Sequence, residues 1–156
     1  MSGGGEASAG VRFPPPLIVA GLLLAGLAAD DWLGLRPAIP GAVRIAGAVI
    51  AVIGLVPIAW ALLQFRSAGT DPEPWKPDAA FVEQGIYRFT RNPMYLGMAL
   101  AHLGLALALD SMGALLAWPM AIVLIDRLVI AREERNLAAR FGPAFEEYRT
   151  RVRRWI

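Results

Sequence analysis

The sequence predicts an all-α membrane protein of about four transmembrane helices, the last two forming a C-terminal hairpin that is followed by cytoplasmic helices. Three observations carry this expectation. Of 156 residues, 56% are hydrophobic, and the mean hydropathy of +0.50 is high for a soluble domain. The apolar residues come in long runs, not in the alternation of a half-buried strand. Ile45 to Leu63 holds no charged residue, about the length a membrane-crossing helix needs.

The elements follow in order. Residues 1–13 are rich in Gly, Ala and Ser and are expected to be disordered. They lack the Lys/Arg cluster of a secretory signal, and no small-residue cleavage site follows the first apolar run, so that run is expected to be a retained anchor. Residues 14–65 hold two spans. The first runs from Leu17 to about Leu35; its uninterrupted apolar part ends at Ala29, which predicts Asp30 and Asp31 at the far interface beside Trp32. The second runs from about Ala42 to Phe65, with Arg44 able to snorkel outward and Pro57 expected to bend it.

Residues 66–156 form the region expected to carry function. A loop from Ser67 to Pro93 is held extended in its first half by Pro72, Pro74 and Pro77 and carries Trp75, Phe81, Tyr87 and Phe89. Tyr95–Leu109 and Ala114–Ile125 are the arms of a hairpin turned by "DSMG". Each arm is short for a hydrocarbon core of ~30 Å, so the flanking helix must complete the crossing, with Asp126 and Arg127 near the surface. In the tail, Leu137 and Phe141 share one helix face, Gly142 and Pro143 end one helix and begin another, and Phe145, Tyr148 and Val152 form a second apolar stripe.

Charge distribution sets the expected orientation. The formal net charge is only +2, but Arg12, Arg66, Lys76, Arg88, Arg91 and the eight arginines from Arg127 onward fall on one side of a four-span chain, against Arg36 and Arg44 on the other. The positive-inside rule puts both termini and the Ser67–Pro93 loop in the cytoplasm of a multi-pass protein of the cell (inner) membrane. With no cysteine, the chain has no disulfide, thiolate metal site or cysteine nucleophile. With His102 as its single histidine, it is a poor candidate for a protein-built transition-metal site.

The chemistry-bearing residues are clustered. Arg88, Arg91 and Asn92 immediately precede Pro93 and Tyr95, and Gly97 follows. One reading is a juxtamembrane basic patch on lipid phosphates with Tyr95 as interface anchor. The other is that the planar fork of Arg91 holds a carboxylate, Asn92 and Tyr95 add hydrogen bonds, and Gly97 admits a ligand or another helix. Glu133 and Glu134 stand among Arg127, Arg132, Arg135 and Arg140. They are either a solvated helix face with i,i+4 pairs or a pair of which one faces inward, binding ribose hydroxyls or orienting Arg91. His102 shares a helix face with Tyr95; a neutral imidazole bonded to a neighbouring helix is the favoured reading. Gly97, Ala101, Gly104 and Ala108 are expected to be helix-packing contacts.

Taken in order, "GIYRFTRNPMYLG" (Gly85–Gly97), a helical hairpin and "EERNLAARFGPAFEEYRTRV" (Glu133–Val152) resemble the isoprenylcysteine carboxyl methyltransferase family. The resemblance covers about the C-terminal half, and the "PWKP" loop before it is typical of bacterial members. It implies an integral membrane methyltransferase using S-adenosyl-L-methionine. It implies that Arg91 and Glu134 are catalytic and that Tyr87, Arg91, Asn92, Pro93, Tyr95, Gly97, Glu133, Glu134, Phe141 and Tyr148 bind the cofactor, with no metal. Asn92 stands where eukaryotic members have His, and it cannot titrate near neutral pH. Phe145 replaces a frequent Tyr.

Methyl transfer from a sulfonium needs alignment and exclusion of water, not a metal or covalent nucleophile. The expected partners are a lipophilic or prenylated acceptor from the bilayer (an isoprenylcysteine-like carboxylate, a thiol or a phospholipid amine) and membrane lipids, with no nucleic acid. Two other readings stand beside this one: an NADPH-dependent membrane reductase of sterol-reductase-like architecture, and a non-catalytic protein whose basic tail binds anionic lipid.

Overall fold

The computed structural model describes residues 14–35, 37–67, 69 and 82–156, and these are helical, with no strand among them. Helix α1 is Pro15–Leu33, α2 is Gly41–Ser67, α3 is Pro93–Ala108, α4 is Met112–Leu124, α5 is Ala131–Phe141 and α6 is Pro143–Arg151. A 3₁₀ turn, Gly85–Arg88, precedes α3, and a wide π-type turn, Ile125–Ile130, joins α4 to α5 without a break. The expectations for residues 1–13, Arg36, Pro72, Pro74, Trp75, Lys76, Pro77 and Phe81 lie outside the described residues.

Among the described residues, three helices are long and apolar enough to cross a membrane: Pro15–Leu33, Gly41–Ser67 and the continuous Met112–Phe141. α3 is apolar but has 16 residues, roughly 24 Å at 1.5 Å per residue, which is short of the core thickness. The second hairpin arm does continue into the charged tail as one helix, as the shortness of its uncharged part requires.

Glycines bring the helices together. A Cβ on Gly54 would lie 2.7 Å from the Gly97 carbonyl oxygen and 2.7 Å from the Ala101 nitrogen, and one on Gly47 would lie 2.8 Å from the Gly104 oxygen. α2 and α3 therefore touch backbone to backbone along the small-residue stripe, as membrane helices do where lipid supplies no hydrophobic drive between them. α1 meets α4 in the same way, since a Cβ on Gly26 would reach the Ala114 backbone at 2.5 Å. The α3/α4 hairpin thus lies between α2 and α1. Trp118 Nε1 donates to the Ala99 carbonyl across it at 2.8 Å. Large apolar side chains such as Ile45, Val52 and Leu116 point outward, as lipid-facing positions do.

The end carrying the hairpin turn is closed by carboxylates. Asp110 Oδ1 accepts from the Ile39 amide at 2.8 Å, and Asp30 Oδ1 accepts from the Gly113 amide at 2.7 Å. Asp30, at the end of α1 where the sequence predicts the far interface, is 1% exposed and turned inward to satisfy a backbone donor at the start of α4. Trp32 is 86% exposed. His102 is buried, with Nε2 at 3.1 Å from the Ala114 carbonyl; a carbonyl only accepts, so Nε2 donates. The imidazole ties α3 to α4 and stands apart from the polar cluster described next.

Candidate active site

At the opposite end of the bundle, the segment before α3 and the chain after α4 meet. Asn92 precedes the helix, and Pro93 fills its first position, where a missing N–H costs nothing. Arg91 then projects toward α5. Its Nε and Nη2 donate to Glu134 Oε1 at 3.1 and 2.8 Å. Its Nη1 donates to the carbonyls of Val152 at 2.5 Å and Arg149 at 3.3 Å. One turn into α3, the Tyr95 hydroxyl donates to Glu133 Oε1 at 2.7 Å. Adjacent glutamates on α5 thus receive residues four apart on the α3 side. Arg91 and Glu134 side chains are each 11% exposed, so their attraction is little screened by water.

The carboxylate that the Arg91 fork holds is that of Glu134. Of the two functional readings of the glutamates, the one in which a glutamate orients Arg91 describes this geometry.

Sequence reasoning missed the C-terminal segment, which completes the cluster. Arg154 donates from Nε and Nη2 to the two oxygens of Glu134 and from Nη1 to both oxygens of Asp126 at 3.2 Å. Trp155 Nε1 donates to Asp126 Oδ1 at 3.2 Å. The Arg154 carbonyl accepts from Thr90 Oγ1 at 3.2 Å and from Asn92 Nδ2 at 2.9 Å, and the Arg153 carbonyl accepts from the Arg91 amide at 3.0 Å. Asn92 here uses its amide to dock the tail, which needs no proton exchange. The hydrogen bond that Arg154 donates to Glu134, working against partial burial, raises the pKa of Arg154 further, keeping it charged.

The wide turn makes the double contact of Arg154 possible. Glu134 lies eight positions after Asp126. In an uninterrupted α-helix they would be roughly 80° out of line. A π-type turn fits an extra residue into one winding and takes up most of that offset, so both carboxylates face one guanidinium.

A second group of contacts supports the loop before α3. Gln64, near the end of α2, accepts from the Ile86 amide at 3.0 Å and donates to the Gln84 carbonyl at 2.9 Å. Gly85 has φ +56°, which favours glycine, and a Cβ there would displace the Gln64 amide from its two hydrogen bonds. The Tyr148 hydroxyl donates to the Tyr87 carbonyl at 2.7 Å. Burial raises the pKa of Tyr148 well above the usual phenol value and keeps it neutral. Beside this contact lies a cleft of about 480 Å³ lined by Glu83, Gln84, Gly85, Arg88, Tyr148, Arg151 and Val152. Its size is that of a small-molecule site.

Of the residues named from sequence, Arg91, Asn92, Tyr95, Glu133 and Glu134 converge, and Tyr148 lines the adjoining cleft. Pro93 serves as the helix start. Gly97 is covered by Gly54 and Ile58 of α2. Tyr87 packs edge-on against Phe65, and Phe141 joins the Phe145–Tyr148–Val152 cluster of the tail.

Residues 42–144 match the model of the family described as phospholipid methyltransferase. The chain belongs to that family. These are membrane methyltransferases related to the isoprenylcysteine carboxyl methyltransferases. A protein of Haemophilus influenzae, named only as uncharacterized, is 38% identical over 63 residues, which are its whole length and 40% of this chain. No solved structure matches. The stretch matching the phospholipid methyltransferase model takes in α2, the Arg91–Tyr95 segment, the hairpin and Glu133–Glu134, and stops before Arg149–Trp155.

Proposed function

We propose that this chain is an integral membrane methyltransferase that moves a methyl group from S-adenosyl-L-methionine to a lipophilic acceptor: an isoprenylcysteine-like carboxylate, a thiol or a phospholipid amine. The observation that carries the proposal is the meeting of the Arg91–Tyr95 segment with Glu133 and Glu134 at one polar end of an apolar bundle, inside the segment that matches the phospholipid methyltransferases.

The residues present fit such a cofactor. It carries a carboxylate, an ammonium group, ribose hydroxyls and a sulfonium, and the cleft offers both signs of charge: Arg88 and Arg151 as cations, Glu83 as a carboxylate, and the backbone of Gln84–Gly85 as a polar edge. In the proposal, Arg88 or Arg151 takes the carboxylate, Glu83 takes the ammonium or the hydroxyls, and Tyr148 closes one wall. When bound, the sulfonium supplies an already activated methyl, so no metal or covalent nucleophile is required.

The chain's own task is to align the acceptor and exclude water. Glu133, held by the Tyr95 hydroxyl, adds negative charge to the polar end of the bundle that adjoins the cleft. Arg91 and Glu134 hold α3 and α5 at a set distance. The polar end stands where a water-soluble donor and a bilayer-borne acceptor can both arrive. The arginine excess at that end supports a cytoplasmic placement, with α3 completing a fourth crossing together with its flanking segment.

The test is methyl transfer in reconstituted vesicles. Purified protein is supplied with methyl-labelled S-adenosylmethionine and, in separate samples, phosphatidylethanolamine, a prenylated cysteine or a lipophilic thiol. Label in one extracted acceptor, abolished by Glu133→Gln with Glu134→Gln, supports the proposal. Absence of label in all three with a folded protein rejects it.

A further inference from the structure

The C-terminal segment Val152–Trp155 follows the last helix yet holds the cluster from two sides. Its backbone docks on the chain before α3, through the Arg153 and Arg154 carbonyls and the donors Arg91 N, Thr90 Oγ1 and Asn92 Nδ2. Its side chains dock on the long helix, through Arg154 to Glu134 and Asp126 and through Trp155 to Asp126. The Val152 carbonyl takes Arg91 Nη1 at 2.5 Å. Glu134 therefore sits between two guanidiniums, and without Arg154 it would have only Arg91 to fix its plane.

We propose that Arg154 is a positioning residue and Val152–Trp155 a clasp. Arg154 fixes the Glu134 carboxylate, and through it the Arg91 guanidinium, while the segment it belongs to holds Thr90, Arg91 and Asn92. The wide turn exists in this account to bring Asp126 into line as the second anchor of Arg154. The clasp is a statement about geometry; its effect on turnover rests on the methyltransferase reading. Cutting the side chain at Arg154 leaves the backbone hydrogen bonds of the clasp chemically possible, so the variant separates side-chain positioning from loss of the segment.

The experiment uses full-length protein in lipid nanodiscs, as wild type, Arg154→Ala, Arg154→Lys and Asp126→Asn. Amide hydrogen exchange is followed for peptides covering residues 88–96 and 130–138, and methyl transfer is resolved into kcat and KM for S-adenosylmethionine. Arg154→Ala is expected to speed exchange in both peptides by about tenfold or more and to lower kcat by a similar factor, the scale of losing a charge-assisted contact. Arg154→Lys keeps the charge but reaches one carboxylate at a time and restores part of both. Asp126→Asn gives the smaller loss of one anchor. Unchanged exchange in Arg154→Ala and Arg154→Lys overturns the clasp. Faster exchange with unchanged kcat and KM overturns the positioning role. If wild type transfers no methyl group, the functional reading fails and the exchange result alone decides the clasp. If Arg154→Ala does not fold, Arg154→Lys and Asp126→Asn carry the same comparison.

Discussion

Glu134→Gln isolates the charge at the centre of the cluster. The side chain keeps its shape, but one carboxylate oxygen becomes an NH₂ donor. Wild-type Glu134 accepts from Arg91 through Oε1 and from Arg154 through both oxygens. Whichever way the amide turns, one guanidinium then faces a donor. Removing one partner from a buried ion pair costs roughly 3–5 kcal/mol. Two features lower that figure here. The Arg154 side chain is 35% exposed and keeps Asp126, and Arg91 keeps the Val152 and Arg149 carbonyls. The net cost is then about 2 kcal/mol, equivalent to a fall of about 4–8 °C in melting temperature for a chain of this size. The assay is thermal unfolding in detergent micelles, with Glu146→Gln as control, since Glu146 is exposed and pairs with Arg149 one turn away. The control should stay within ~0.5 kcal/mol of wild type. Equal melting temperatures for Glu134→Gln and Glu146→Gln would refute the claim that Glu134 is a structural hub.

Gly54→Val should abolish recovery of monodisperse protein, because its branched side chain has no room against the Gly97 and Ala101 backbone, whereas Gly21→Ala, with nothing within 4 Å of the new Cβ, should purify normally. In a double-mutant cycle on S-adenosylhomocysteine affinity, Tyr95→Phe and Glu133→Gln should couple by more than ~0.5 kcal/mol because they share one hydrogen bond; additive losses would mean that the bond is not formed in solution. Tyr148 is neutral when folded, and burial raises its pKa above the ordinary value of 10.0. Its contribution to stability is therefore complete below about pH 10 and is lost as pH rises beyond it, so wild type should lose stability between about pH 10 and 11 more steeply than Tyr148→Phe.

Much of this arrangement was legible in the sequence. The small residues Gly97, Ala101 and Gly104 at helical spacing read as a packing stripe, and α2 packs there. Gly142–Pro143 read as a helix end and start, and α5 and α6 divide at that point, with Gly142 at φ +51°. Phe145, Tyr148 and Val152 read as one stripe, and they form one buried cluster. Glutamates after the hairpin were expected to meet the Arg91 segment because antiparallel arms return the chain to its starting side.

The parts that were not legible depend on facts that periodicity does not hold. Arg153–Arg154 looked like two more cations on a basic face; only the tail folding back over Asn92 gives Arg154 its partners. The wide turn has no Gly or Pro to announce it, and it alone aligns Asp126 with Glu134. Asp30 was expected at the far interface because the apolar run ends at Ala29, but its bond to the Gly113 amide appears only when α1 is packed against the start of α4. Gly85 and Gln64 belong to no shared sequence pattern, and their mutual fit appears only when the turn before α3 is laid against the end of α2.

The central claim is that the polar end of the bundle binds a methyl-donor cofactor. Calorimetric titration of the purified protein with S-adenosylhomocysteine, and separately with NADPH, tests it most directly. The account predicts saturable one-to-one binding of S-adenosylhomocysteine, weakened at least about tenfold by the combined Glu133→Gln and Glu134→Gln substitutions, and no binding of NADPH. Binding of NADPH alone, or S-adenosylhomocysteine binding that the double variant leaves unchanged, would contradict it.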